Sequence, residues 1–224
     1  MGHDLLDSAF ALVEKLGLPL VIAAWASVFI GAVAMAVVLR RRRATLKGCL
    51  APALVVGALA LAAHLLDYFV TLRITPDLAM EANPIWRIAA DRLGLPIAKA
   101  YGLTGKLLVA ALSFELYAWY LAQRRELWPE QALGFFDFVK KLGKSARHQA
   151  NVRSFFAFAF ALFGPYFFYI VLMNLSGDDE AFYARLPSPP LAICVYFAAL
   201  TAAYFGLQYR AYQRAARRNG DRAR

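Results

Sequence analysis

Long apolar runs alternate with short charged segments along this chain. Five runs reach the length of about 17–25 residues that a helix needs to cross a hydrocarbon core. The runs are continuous rather than alternating, and a helix satisfies its own backbone hydrogen bonds in lipid. The pattern therefore predicts an all-α, polytopic membrane helix bundle that forms a single domain over residues 1–224. The predicted transmembrane helices cover residues 18–39, 50–74, 97–123, 155–175 and 191–212.

A short amphipathic helix is predicted over residues 84–93, between the second and third transmembrane helices. Asn83 is a favoured N-cap, Pro84 suits the first helical position, and Gly94 is a good terminator. Such a helix lies at the membrane surface. The residues expected to face the membrane surface are Ile85, Trp86, Ile88, Ala89 and Leu93.

A basic amphipathic helix is predicted over residues 130–144, where Pro129 suits a first helical turn. Its apolar residues recur near helical spacing, while Lys140, Lys141 and Lys144 lie toward the other face. We expect it to lie on the anionic inner leaflet, and docking of the same apolar face on the bundle is the alternative. The N-terminal segment 4–16 is either a short interfacial helix or a frayed terminus.

Composition supports a membrane protein and offers little recognisable chemistry. The chain is 61% hydrophobic, whereas soluble domains have about 45–50% apolar residues. Its two cysteines, Cys49 and Cys194, provide no disulfide framework or zinc-knuckle spacing. A nucleophile elbow, a phosphate loop, a metalloprotease motif and a nucleotide fingerprint are all missing. We therefore predict no cofactor, and the sequence does not decide whether the protein is an enzyme.

The net charge of +10 is concentrated beside the predicted transmembrane helices. Three segments hold 18 of the 25 Lys and Arg residues: 40–47, 124–153 and 210–224. For five transmembrane helices, all three lie on one side, and basic loops remain in the cytoplasm. The N-terminus is therefore predicted outside and the C-terminus inside, in a bacterial cytoplasmic membrane. Because topology explains the charge, nucleic acid is not an expected partner.

The second predicted transmembrane helix carries an unusual polar set. His64, Asp67 and Thr71 share one helix face. Asp67 lies about 10 Å into the hydrocarbon core, and Lys106 on the next transmembrane helix lies at a similar depth. An isolated carboxylate there costs about 2.5–3.5 kcal/mol on insertion scales. We therefore predict an ion pair between Asp67 and Lys106 inside a buried polar cluster. Such a pair can be a functional site or a structural contact between helices.

The loop residues Glu81, Asn83 and Pro84 are predicted to form a lid above this cluster. Glu81 either turns inward toward His64 or Lys106, or faces water. His64, Asp67 and Glu81 have no metal-ligand spacing, so no metal site is predicted.

Two further features of the transmembrane helices lead to expectations. Glu115 lies opposite Lys106 on its helix and is expected to face another helix or to pair with Arg124 or Arg125. Gly164 and Pro165 are expected to kink the fourth transmembrane helix, because proline removes a backbone hydrogen bond.

The order Asp67-x3-Thr71, Glu81-Ala-Asn83-Pro84 and then Lys106 resembles an uncharacterised bacterial and archaeal membrane family, the DUF5658-like group. The resemblance covers roughly residues 50–120, and the transmembrane helices before and after are additional. Arg73 and the longer loop depart from the usual pattern. The resemblance implies a membrane module with a buried polar set and implies no activity.

Three functional classes remain. A non-catalytic partner or assembly module fits the short loops and the missing motifs. A proton- or ion-coupled small transporter fits Asp67, Lys106 and His64, although five transmembrane helices show no repeat symmetry. A membrane enzyme acting on a lipid-linked substrate fits a polar pocket beneath a lid. The expected partners are membrane lipids, anionic on the cytoplasmic face, and a protein partner or a second copy of the chain.

Overall fold

The computed structural model describes residues 2–41, 48–79, 81, 83–144, 148–176 and 186–222. These residues form helices and connecting turns, with no strand among them. The helices are α1 (Gly2–Arg41), α2 (Leu50–Ile74), α3 (Pro84–Leu93), α4 (Leu95–Gln123), α5 (Phe135–Lys144), α6 (His148–Ala161), α7 (Tyr166–Leu175) and α8 (Pro189–Arg222), and a 3-10 turn (Arg124–Leu127) follows α4.

Five helical segments are long and apolar enough to cross a membrane, so the predicted fold class is confirmed. Large apolar side chains such as Ile30, Leu54 and Val195 are exposed on their outer faces, as lipid contact requires. The observed segments extend beyond most of the predicted bounds, because polar residues continue the helices past the apolar runs. They cover Lys15–Arg41, Leu50–Ile74, Leu95–Leu127, His148–Leu175 and Pro189–Arg217. The orientation of the chain in the membrane stays a prediction.

The N-terminal segment continues into the first transmembrane helix. Helix α1 begins at Gly2, and its only non-helical backbone angles within the described part lie at Gly17 (φ 48°, ψ −130°). Glycine tolerates this conformation because it has no Cβ. Gly17 therefore separates the predicted interfacial segment from the transmembrane part, and the side chains of residues 1–14 lie outside the described residues.

The fourth transmembrane segment is broken rather than kinked. Helix α6 ends at Ala161 and α7 begins at Tyr166, so the interruption expected at Gly164 and Pro165 is present, as a break between two helices. Pro165 has no N–H with which to continue the helical hydrogen bonds. Gly164 lies so close to α2 that a Cβ would be 2.7 Å from the Cβ of Ala60. The break thus brings the chain directly against α2.

The basic helix is shorter than predicted, and its apolar face docks on the bundle. Helix α5 begins at Phe135, not at residue 130, and Pro129 lies in non-helical chain. Phe138 and Leu142 are buried against residues that include Leu127 and Tyr212. The docking alternative is therefore the observed one, since these rings offer a tighter contact than lipid headgroups.

The lysines of α5 are exposed but not equivalent. Lys140 and Lys144 are exposed, whereas Lys141 Nζ is 2.9 Å from Asp137 Oδ2 and donates to the Gln131 carbonyl at 3.0 Å. Contact of this face with anionic lipid stays a prediction.

The predicted helix at 84–93 is present, but its apolar face is not on the membrane surface. Asn83 Oδ1 caps it by accepting from the Ile85 N–H at 3.0 Å. Trp86, Ile88 and Ala89 are buried in a cluster with residues of α1, α2 and α4. The expectation of membrane contact for these three residues is wrong, because the bundle itself provides the apolar surface that covers them.

Candidate functional site

Helices α2 and α4 form the most extensive helix pair of the described bundle and bring together two oppositely charged residues. Lys106 Nζ donates to Asp67 Oδ2. The side chains are only 15% and 9% exposed, respectively. The predicted ion pair is therefore present and largely buried. An unpaired charge buried at this position would be costly.

Aromatic rings surround the ammonium group of this pair. Lys106 Nζ lies 5.8 Å from the ring centroid of Trp86 and 5.3 Å from that of Phe167. These distances are within the range of cation–π attraction. Trp86 is also stacked on Tyr68, at 5.6 Å between centroids. Three elements, α2, α3 and α7, therefore hold the ammonium of a residue of α4.

His64 lies in the same cluster without a polar contact among the described residues. Its ring packs on Phe167 at 4.4 Å between centroids. It is 4% exposed, and neither ring nitrogen has a hydrogen-bond partner in the described part of the chain. Thr71 is also buried, at 8% exposed. Both residues are therefore buried at the expected cluster. A buried polar group without a partner is unfavourable.

A cavity of about 730 Å³ connects these residues with the loop between α2 and α3. It is lined by six of the seven residues expected in the cluster and its lid: His64, Asp67, Thr71, Glu81, Asn83 and Lys106. Pro84 lies instead on a neighbouring pocket that also contains Asp77, Arg87 and Asp91. The size is typical of a site for a small ligand.

The walls of the cavity come from helices that sequence reasoning did not connect with the cluster. Trp25 and Val28 of α1 line one side, and Tyr166, Phe167 and Ile170 of α7 line another. Aromatic residues in transmembrane segments are ordinary core or lipid-facing residues on pattern alone. Only the packing of α1 and α7 around the α2–α4 pair identifies these residues as part of the cavity wall.

Glu81 turns toward the cavity, which decides between the two alternatives for this residue. Its Oε1 accepts from the Asn83 N–H at 2.8 Å. Burial raises the pKa of the Glu81 carboxyl; the hydrogen bond from Asn83 opposes that shift, and the charge of Asp67 raises the pKa further. Lys106 and Arg87 lower it by smaller amounts. The carboxyl at the cavity entrance is therefore only partly compensated.

Of the two alternatives for Glu115, the position inside the bundle is the observed one. Among the described residues, its buried Oε2 has no hydrogen-bond partner and no ion pair with Arg124 or Arg125 is found. The carboxyl stays within the bundle instead of reaching the end of its helix. It lies apart from the cavity, whose lining contains other residues.

The comparisons with known proteins add no assignment to this geometry. No family model, no curated protein and no solved structure matches the chain. Among the described residues, no three His, Cys, Asp or Glu side chains are grouped as a metal site. Function therefore has to be argued from the cavity and the groups that line it.

Proposed function

We propose that this protein binds an amphipathic molecule in the cavity around Asp67 and Lys106, as a non-catalytic membrane module. The observation that carries the proposal is the cavity itself, which places a charged cluster beside aromatic and aliphatic walls in an otherwise packed bundle. A polar head can meet the cluster while an apolar chain contacts the walls.

The arrangement of the flanking helices supports access from the bilayer. Helix α1 packs mainly on α3 and α4, whereas α7 packs mainly on α2 and α8. The two flanks therefore pack on different helices of the α2–α4 pair. We propose that an acyl or isoprenoid chain extends between them into the surrounding lipid, which is as apolar as the chain.

Packing at the other end of the bundle favours binding over transport. Tyr120, Phe158 and Tyr204 are fully buried in one aromatic cluster between α4, α6 and α8. Interiors packed in this way leave few gaps large enough for a solute. The cavity, whose lining extends from the loop between α2 and α3 to the level of His64 and Val109, does not continue through this cluster.

The same cavity is compatible with the other two roles. A membrane enzyme would use it to hold a lipid-linked substrate, and a protein partner would dock over its entrance. The likeness to the DUF5658-like group stays a prediction and adds no activity. We favour ligand binding because it needs only the cavity and the charged cluster.

We expect a side chain inserted into the cavity to displace the bound amphiphile. Gly105 lines the cavity, and a Cβ added there has no neighbour within 4 Å. Gly105→Leu should therefore reduce the lipid that co-purifies with the protein by about tenfold, as native mass spectrometry can measure. Gly206→Leu on α8 is the matched control, because its Cβ also meets open space but lies outside the cavity lining. Equal lipid retention in both variants would refute the proposal.

We also propose that the cavity faces the outside of a bacterial cytoplasmic membrane, with the N-terminus outside. The basic segments 40–47, 124–153 and 210–224 support this orientation. Residues 42–47 and 145–147 lie outside the described residues, as do 223 and 224.

Single cysteines in the two connecting regions test the orientation. In a background without Cys49 and Cys194, we expect Ala79→Cys to react with a membrane-impermeant thiol reagent in intact cells. We expect Gln131→Cys to react only after permeabilisation, because both positions are exposed but lie at opposite ends of the bundle. The reverse labelling pattern would contradict the orientation and leave the cavity proposal intact.

A further inference from the structure

The aromatic side chains of the cavity wall have already used their hydrogen-bonding groups elsewhere. Each therefore contributes ring surface to the cavity lining and has no free donor for a ligand. Ring faces attract cations and apolar groups. The four donors are Trp25 Nε1 (to Thr104 Oγ1, 3.2 Å), Trp86 Nε1 (to Ala98 O, 2.7 Å), Tyr101 OH (to Val21 O, 3.0 Å) and Tyr166 OH (to Pro189 O, 3.2 Å).

The charges of the cavity lining do not cancel. Asp67 and Lys106 neutralise each other in their ion pair. The remaining carboxyl of the described lining is Glu81, which accepts a backbone hydrogen bond from Asn83 but forms no ion pair among the described residues. Arg87 lies in the neighbouring pocket. With Glu81 ionised, the lining therefore carries one negative charge that has no ion-pair partner among the described residues and that Lys106 and Arg87 compensate only in part.

We infer that the headgroup bound in this cavity carries a primary ammonium, which pairs with Glu81 against the aromatic walls. The inference rests on the proposed function, in which the cavity holds an amphiphile. An ammonium supplies N–H donors to a carboxylate, and its positive charge pairs with the one lining carboxylate that forms no ion pair among the described residues. The same group is attracted to the ring faces of the walls. An anionic or purely hydroxylated head would leave the charge of Glu81 uncompensated.

A second polar group of the ligand can be bound deeper in the cavity. Neither ring nitrogen of His64 has a hydrogen-bond partner among the described residues, so a ligand group at this level can form a hydrogen bond with the ring. A phosphoethanolamine head has both an ammonium and phosphate oxygens. Its diacylglycerol part would lie between α1 and α7. A free amine also carries an ammonium group, but it has no apolar chain to contact the aromatic and aliphatic walls of the cavity.

The test is the lipid preference of the whole protein in nanodiscs. These would contain equal amounts of phosphatidylethanolamine, phosphatidylcholine and phosphatidylglycerol, and bound lipid would be quantified by native mass spectrometry after release into detergent. We expect phosphatidylethanolamine to be enriched about tenfold over the other two, because one charge-assisted hydrogen bond accounts for a factor of this size. Glu81→Gln should reduce the enrichment to near parity, since it keeps a carbonyl acceptor for Asn83 but removes the charge.

Asp91→Asn is the matched control, because Asp91 is an exposed carboxylate of α3 that lies in the neighbouring pocket. It should retain the full enrichment. Bound lipid without headgroup preference, or preference unchanged in Glu81→Gln, would overturn the ammonium inference but leave the proposed cavity ligand standing. No bound lipid at all would overturn both. Millimolar ethanolamine distinguishes a lipid headgroup from a free amine as the source of the ammonium. If ethanolamine displaces phosphatidylethanolamine completely, the ammonium site is assigned to a free amine.

The pH dependence provides an independent readout. The groups that face Glu81 from the packed elements are Asp67 of α2, Lys106 of α4 and Arg87 of α3, and His64 lies deeper in the cavity. The enrichment should fall as the pH is lowered, because protonation of Glu81 removes the charge. Its raised pKa moves this loss to a higher pH than for an exposed carboxyl. Glu81→Gln retains the other groups, so an equal pH dependence in that variant would contradict the role of Glu81.

Discussion

Removing either partner of the central ion pair is expected to destabilise the protein more than removing both. Asp67→Asn leaves a largely buried ammonium without its carboxylate, and Lys106→Met leaves a largely buried carboxylate alone. Breaking a buried pair in this way costs about 3–5 kcal/mol. The double variant buries no uncompensated charge, so its free energy of unfolding should fall clearly less. The free energies of unfolding can be compared by thermal or denaturant unfolding of the detergent-solubilised variants.

A matched pair of substitutions controls for non-specific effects of charge removal. Lys141 and Asp137 of α5 also form an ion pair, but their side chains are 45% and 30% exposed. Surface pairs of this kind contribute about 0–1 kcal/mol, so Lys141→Met should have little effect. If the losses in free energy of unfolding caused by Asp67→Asn and Lys106→Met simply add in the double variant, the ion pair is not the source of the destabilisation.

The double variant also separates the two interpretations of the pair. If Asp67→Asn with Lys106→Met is stable and still retains bound amphiphile, the pair serves helix packing. If it is stable but has lost the amphiphile, the pair belongs to the binding site. This comparison is informative because the ammonium lies against Trp86 and Phe167, which are themselves part of the cavity wall.

The fold class and the ion pair could be predicted because each depends on one-dimensional information. Hydropathy identifies the transmembrane helices, since the bilayer requires a fixed length of apolar chain. Asp67 and Lys106 could be matched because adjacent antiparallel helices place residues at equal distance from their connection at equal depth. Both arguments use only position along the chain and the cost of an unpaired charge in lipid.

The lateral packing could not be predicted in the same way. In a transmembrane helix the lipid-facing and protein-facing sides are both apolar, so periodicity does not show which side Phe167 occupies. The short helix α3 is amphipathic, and its apolar side fits the membrane surface as well as the bundle, so the pattern does not predict that Trp86 is only 4% exposed. The close approach of Gly164 to Ala60, which positions α7, involves residues far apart in sequence.

For a related reason, the sequence left open whether α5 lies on lipid or docks on the bundle. Its apolar face satisfies the pattern of an interfacial helix equally well whether it meets lipid or protein. The rings that cover it, which include Tyr212, lie at the far end of α8. Two residues of that region, Leu133 and Phe136, nevertheless remain 99% and 86% exposed, so only part of the segment is accounted for by docking.

Two glycines of α4 are expected to respond in opposite directions to the same substitution. At Gly102, a Cβ would lie 2.5 Å from the Cε2 and Cζ2 atoms of Trp86, far inside van der Waals contact. Trp86 has little freedom to withdraw, because its Nε1 donates to the Ala98 carbonyl at 2.7 Å and its ring is stacked on Tyr68. At Gly105, one turn further, nothing lies within 4 Å of the added atom.

Gly102→Ala should therefore lower the free energy of unfolding by about 1–3 kcal/mol, the usual cost of overpacking a core. Gly105→Ala should leave it unchanged or raise it by up to about 1 kcal/mol, because alanine is the better helix former. Tryptophan fluorescence should shift only in Gly102→Ala, since that variant must displace the Trp86 ring from the cavity wall. If both variants are equally stable and spectroscopically unchanged, the close packing of α3 on α4 is wrong, and the cavity wall formed by Trp86 is wrong with it.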